Sequence, residues 1–176
     1  MENPFVLAMI EFAVLGTLGE ILANLINKKS IKVLSIIYSA LVWAVLGVLI
    51  KFMFTGFSGF VGGLVSKKYL PDGNFYNAFF KSFFTNALFG PWIIIIHRFL
   101  DNLPKKILRL PTKGLKGALL TLLWFWLPAH TVTFLLPEHW QVTLAAVWSF
   151  VLGLILGYFS GHSKEENKEE KVESEN

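Results

Sequence analysis

The chain has 176 residues, 54% of them hydrophobic and 16% charged, with a mean hydropathy of +0.56; that charged fraction is well below the quarter or so typical of soluble domains, which excludes an ordinary water-soluble globule. It has no cysteine, so a disulfide framework, a thiolate metal site and a cysteine nucleophile are all excluded. The formal charge of +4 is unevenly spread: residues 164–176 hold three Lys and six Glu, leaving thirteen basic and six acidic residues for the body. A basic membrane body places Lys and Arg at the mouths of helices, and no basic patch is interleaved with aromatics on a soluble element, so nucleic acid is not an expected partner.

About twenty apolar residues suffice to cross the hydrocarbon core as a helix. By that measure residues 5–26 form a first span, retained because Glu2 stands where a signal peptide would carry positive charge. Residues 33–50 form a second run interrupted by Lys51, and apolar character resumes over 52–65 with Gly56, Gly59, Gly62 and Gly63. The pieces lie too close for two full spans. They read as one long tilted span, a broken span, or an element with a surface-lying or re-entrant part. Residues 77–99 form the third span, broken at Gly90 and Pro91; 117–136 the fourth, broken at Pro128; and 140–160 the fifth. The expected fold is all-α: a polytopic transmembrane bundle of four or five spans over residues 1–162, and a disordered charged tail over 163–176.

Five crossings gather Lys28, Lys29, Lys32, Lys105, Lys106, Arg109, Lys113 and Lys116 on one side, against Lys67 and Lys68 on the other. The excess of positive charge makes the first side cytoplasmic, or the matrix side in a mitochondrion, and puts the carboxy terminus there.

Small residues recur every four positions along the last helix, at Gln141, Ala145, Ser149, Gly153 and Gly157, a pattern for close helix packing. Ala13, Gly16, Thr17, Glu20, Ala23 and Asn24 form a similar stripe on the first helix, with a carboxylate in it. Ionisable groups at membrane depth cost about 2.5–3.5 kcal/mol each on insertion scales, so Glu11, Glu20, Lys51 and Lys81 need partners or water. Glu11 and Lys51 are expected near the interfaces, where they snorkel; Glu20 is expected to face the interior. Asn77, Lys81, Ser82, Thr85 and Asn86 cluster on one side of the third helix, just before Gly90 and Pro91. Such a stripe either joins helices by hydrogen bonds or lines a watery path. On the fourth helix Trp126, His130, Thr133 and Pro137 share a face. No pair among His97, His130 and His139 has metal-ligand spacing, so no metal or cofactor is expected. The nucleophile elbow, the P-loop, the zinc-protease helix and paired carboxylates with a His are all missing, so no catalytic residue and no enzyme is expected.

Phe125-Trp126-Leu127-Pro128, followed by Thr133 to Gln141 with Pro137, His139 and Trp140 at its turn, resembles the signature of the Mpv-seventeen / peroxisomal-membrane-protein-twenty-two family. Leu18-Gly19-Glu20 is similar to that family's Leu-Gly-Asp, Gly59-Phe60-Val61-Gly62 to its Gly-Phe-x-Gly-Pro, and Lys81, Thr85, Asn86 and Pro91 to its Lys, Asp-Gln and Pro at the same spacing. The matches are colinear from about Leu15 to Tyr158. Thr85 and Asn86 stand for the family's Asp-Gln, Gln141 for its Arg and Gly63 for its second-helix Pro, as in a distant member. The resemblance implies a small multi-pass protein of the mitochondrial inner or peroxisomal membrane, or of the plasma (inner) membrane in a prokaryote. It also implies a link to pore formation and to metabolite or ion homeostasis.

Together these readings suggest a channel-like protein that supports permeation of a small solute or ion, with Glu20, Lys81, Thr85, Asn86, His130 and Thr133 lining a polar path. Membrane lipids and further copies of the chain are the other expected partners. A non-conducting membrane scaffold or assembly factor is the alternative, and a membrane-embedded hydrolase or lipid-modifying enzyme a third.

Overall fold

The computed structural model describes residues 3–106 and 114–155. The expected disordered tail from 163, Arg109, Lys113, Gly157, the side chain of Lys105 and the far end of the fifth apolar run lie outside the described residues.

Five helices account for almost all of what is described. Helix α1 is Pro4–Ile26; Asn3 starts it by accepting the Phe5 N–H on its side-chain oxygen at 2.9 Å, and Pro4 occupies the first turn, where no donor is missed. Helix α2 is Val33–Ser66, α3 is Asn74–Asn102 and α4 is Leu115–Leu135. A fifth helix, α5, is described over 138–155. The first four are long and apolar enough to cross a membrane, which makes this a multi-pass membrane protein by length and composition. The stretch at 33–65 is one unbroken helix, neither broken nor re-entrant: the 34 residues of α2 run for about 51 Å at 1.5 Å per residue.

Lipid leaves its mark on which side chains are covered. Leu34, Leu41, Trp92 and Leu123 are 78%, 61%, 62% and 66% exposed, while Ala8, Phe12, Ser82, Thr133 and Ala146 are 0% exposed. Large apolar groups outside and small or polar groups inside is the arrangement expected when lipid, rather than water, surrounds the helices.

Glycines set the closest approaches. A Cβ on Gly47 would meet the Ala8 carbonyl oxygen at 2.5 Å, and one on Gly16 would enter the indole ring of Trp43, so α1 and the first half of α2 pack antiparallel almost backbone to backbone. Gly19 of α1 and Gly153 of α5 meet in the same way, with 3.3 Å from a Cβ on Gly153 to the Gly19 backbone. Thr143 donates to Glu11 at 2.6 Å further along the same pair, so α1 and α5 run in one direction. Residues 52–66 of α2 continue past the start of α1 and pack on α3 and α4, with Phe54 4.7 Å from Phe134 and Phe60 5.2 Å from Phe84 between ring centres.

Two prolines leave matching irregularities. The helix widens into a π turn over Thr85–Phe89 and another over Leu122–Trp126, each ending shortly before a proline, Pro91 and Pro128. The Gly90 N–H reaches back five residues to the Thr85 carbonyl, and the Leu127 N–H likewise to Leu122. A proline ring clashes with the carbonyl four residues earlier, and one wide turn relieves the clash without ending the helix. The two wide turns pack on each other, and a Cβ on Gly90 would meet Leu122 Cδ2 at 2.7 Å.

Glu11 and Lys51 do not snorkel outward. Glu11 turns toward Thr143, leaving its Oε2 buried without a hydrogen bond. Lys51 is buried and donates to Glu138, at the start of α5, over 3.0 Å. Small-residue packing and a cross-bundle acceptor within reach draw both groups inward.

Replacing Gly47 by Leu should therefore lower stability by about 1–3 kcal/mol or more, whereas Gly56→Leu, where a Cβ meets nothing within 4 Å, should stay within about 0.5 kcal/mol. Thermal melts of the two purified variants in one detergent measure the contrast. The Lys51 pair is lopsided, since its two side chains are 9% and 69% exposed. Glu138→Gln, which strands a buried ammonium, should cost about 1.5–3 kcal/mol, more than Lys51→Met, which strands only a solvated carboxylate; urea denaturation of both variants tests the order.

Candidate functional site

A carboxylate in lipid needs donors, and Glu20 draws them from two other helices. Ser39 Oγ donates to Glu20 Oε2 at 2.6 Å, and Trp43 Nε1 donates to Oε1 at 2.8 Å. Both donors lie one turn apart on α2, so they approach the carboxylate from one side. From α3, His97 Nε2 lies 3.5 Å from Glu20 Oε1 and 3.6 Å from Asp101 Oδ2. The His97 ring also lies 4.8 Å from the Trp43 indole, tilted by 50°. Tyr38 donates to the Leu100 carbonyl at 2.6 Å, pinning α2 to α3 beside the cluster.

This cluster borders a cavity of about 330 Å³ between the helices. Phe12, Leu46, Ile93 and Leu122 give it apolar walls, and Glu20, Thr85, Asn86, His97, Arg98, Thr121, His130 and Ser149 are among its polar points. Three of these residues leave a buried polar atom without a hydrogen bond: Thr85 Oγ1, His97 Nε2 and His130 Nδ1. Buried polar atoms nearly always have a partner, so three around one cavity mark a place where water or a polar solute completes the bonding. Trp126 stacks on His130 with ring centres 5.0 Å apart, and Phe54 meets the same imidazole edge-on at 5.2 Å. These rings fix His130 against the cavity wall.

Four of the six residues expected on a polar path, Glu20, Thr85, Asn86 and His130, line this cavity; Lys81 and Thr133 do not. Thr133 is fully buried and donates to the Ala129 carbonyl at 2.9 Å within its own helix. Lys81 is half-buried outside the cavity and has no ion pair among the described residues. Of the other polar members of the stripe, Ser82 joins two helices, donating across to the Leu127 carbonyl at 2.7 Å, while Asn86 Nδ2 donates within its own helix to the Ser82 carbonyl at 2.9 Å. Of the carboxy-terminal motif, Trp126 lines the cavity and Pro128 follows the wide turn. Pro137, His139 and Trp140 are exposed at the turn into α5, where Gln141 donates to the Leu136 carbonyl at 2.9 Å.

Ser39, Trp43, His97, Asp101 and Ser149 also belong to this region and are not evident from the sequence. Ser149 reads as part of a packing stripe, and it does donate to the Ala145 carbonyl at 3.1 Å while lining the cavity. His97 and Asp101 carried a usable signal: they are four residues apart on one helix face, the spacing by which a helix presents two ligand groups together.

No family model, no curated protein and no solved structure matches this chain.

Glu20→Leu should destabilise by about 1–3 kcal/mol for each donor it strands, the Ser39 hydroxyl and the Trp43 indole. Adding Trp43→Phe to Glu20→Leu should cost less than the sum of the two single changes, because the stranded indole N–H is then gone. A double-mutant cycle measured by thermal denaturation reads that difference.

Proposed function

We propose that this protein is a channel-like membrane protein, in which the cavity between the helices takes up a small polar solute or ion and supports its passage. The observation that carries this reading is the set of three unpartnered polar atoms, from Thr85, His97 and His130, around one cavity of about 330 Å³. Binding sites for small molecules are mostly apolar cavities with a few convergent polar groups, and this one has that composition. Between the aromatic and aliphatic walls, these fixed polar groups can replace part of the hydration that a solute gives up on entering. The proposed kinship with the Mpv-seventeen / peroxisomal-membrane-protein-twenty-two family supports the same class of activity. It also favours a mitochondrial inner, peroxisomal or bacterial inner membrane. With the lysine-rich end cytoplasmic or matrix-facing, Glu20 lies toward that compartment.

A non-conducting scaffold is the second reading, favoured by one feature: Ser82 donates across the bundle to the Leu127 carbonyl, while Asn86, Thr131, Thr133 and Ser149 bond carbonyls one turn back in their own helices, so these polar groups are satisfied within the protein. In this reading the bundle's lysines recruit anionic lipid or another copy of the chain.

The chain lacks cysteine, so single thiols can be placed at will. In proteoliposomes the wild type should pass small solutes, and Ser149→Cys should lose that flux when a water-soluble thiol reagent is added. Leu123→Cys, on the outer surface at a residue 66% exposed, should be indifferent to the reagent. Absence of flux in the wild type, with lipid binding that disappears when Lys28, Lys29 and Lys32 are reversed to Glu, would establish the scaffold instead.

A further inference from the structure

The geometry points to a divalent transition-metal site formed by Glu20, His97 and Asp101, whose ligand atoms cluster between two helices. One ligand atom from each lies within 4.8 Å of the other two. His97 Nε2 is buried and makes no hydrogen bond, although carboxylate oxygens stand 3.5 Å and 3.6 Å away on two sides. Those separations are long for N–H···O bonds, which centre near 2.9–3.0 Å. They suit ligand atoms around a common ion: bonds of about 2.0–2.1 Å in a tetrahedron set neighbouring ligand atoms about 3.4 Å apart. An imidazole nitrogen facing two carboxylates at these separations has the arrangement by which all three would share one cation.

The donor set narrows the ion. One imidazole with two carboxylates is borderline rather than hard, which favours Zn²⁺ and its divalent transition-metal neighbours over Ca²⁺ or Mg²⁺. Around the three ligands the structure supplies the outer contacts such sites have. Ser39 and Trp43 donate to the Glu20 carboxylate and hold its plane, and Trp43 packs against the His97 ring. His97 and Asp101 come from one face of α3, so a single helix presents two ligands and α1 the third. Glu20 and His97 also line the cavity, so the cluster lies at its border. Asp101 is 41% exposed, which gives an ion a way in from the aqueous side. The site stands whether or not the cavity conducts.

The test uses the full chain, purified without a histidine tag and stripped with chelator, with Zn²⁺ as the titrant in calorimetry and Co²⁺ absorption as the report on geometry. We expect one saturable Zn²⁺ per chain, a tetrahedral Co²⁺ spectrum that Zn²⁺ displaces, and a rise in the melting temperature on adding Zn²⁺. Asp101→Asn, isosteric and partly exposed, should weaken binding at least tenfold and abolish the thermal shift. His97→Gln should do the same, and His139→Ala, at an exposed histidine outside the cluster, should bind as the wild type does. Metal-free melts of each variant show that it is folded, and either Asp101→Asn or His97→Gln alone decides the matter if the other fails to fold. The proposal is overturned by no saturable binding in the wild type, by affinity unchanged in Asp101→Asn or His97→Gln, by loss of binding in His139→Ala, or by weak uptake of many ions alike in all variants.

Discussion

Hydrocarbon offers a carboxylate nothing to bond, so a membrane helix that carries one must find donors on its neighbours or leave a costly group unsatisfied. Glu20 meets that demand with a hydroxyl and an indole from α2 and approaches an imidazole on α3. The first three helices are consequently fixed in rotation and height at one point. Most of what is distinctive in this bundle follows from that junction: the Trp43 ring seated over Gly16, the Tyr38 bond to α3, and the end of the cavity itself.

At the other end of the bundle the constraint is met differently. Lys51 is buried and ties to the exposed Glu138, so the turn between α4 and α5 is held against the middle of α2. Between the two ends run the paired wide turns before Pro91 and Pro128. A π turn shifts every following side chain around the helix relative to an α-helical register, so the placing of His97 on the cavity with Thr85 and Asn86 depends on it. The cavity lies where these features coincide: Gly90 leaves room for Leu122, and the apolar wall is interrupted by Thr85, Asn86 and His130.

Much of this is legible in the chain. Apolar runs of sufficient length gave the helices, and the inward turn of Glu20, Thr85, Asn86 and His130 followed from the cost of exposing polar groups to lipid. Lys81 shows where that reasoning stops: it lies one regular α-helical turn before Thr85 and shares its stripe, yet it falls beyond the end of the cavity that Thr85 and Asn86 line. Thr133 shows another limit, since a hydroxyl can bond its own helix's carbonyl as readily as it can line a path.

Composition by itself determined that the protein is helical and multi-pass, because hydrocarbon leaves a long apolar segment only a few ways to satisfy its backbone. Which polar groups meet was decided only by the tertiary structure. His97 approaches Glu20 across 77 positions of sequence, and Lys51 reaches Glu138 across 87, because glycine contacts set the height and rotation of each helix against its neighbours. Periodicity along one helix carries no information about that relative placement; only close packing between helices supplies it.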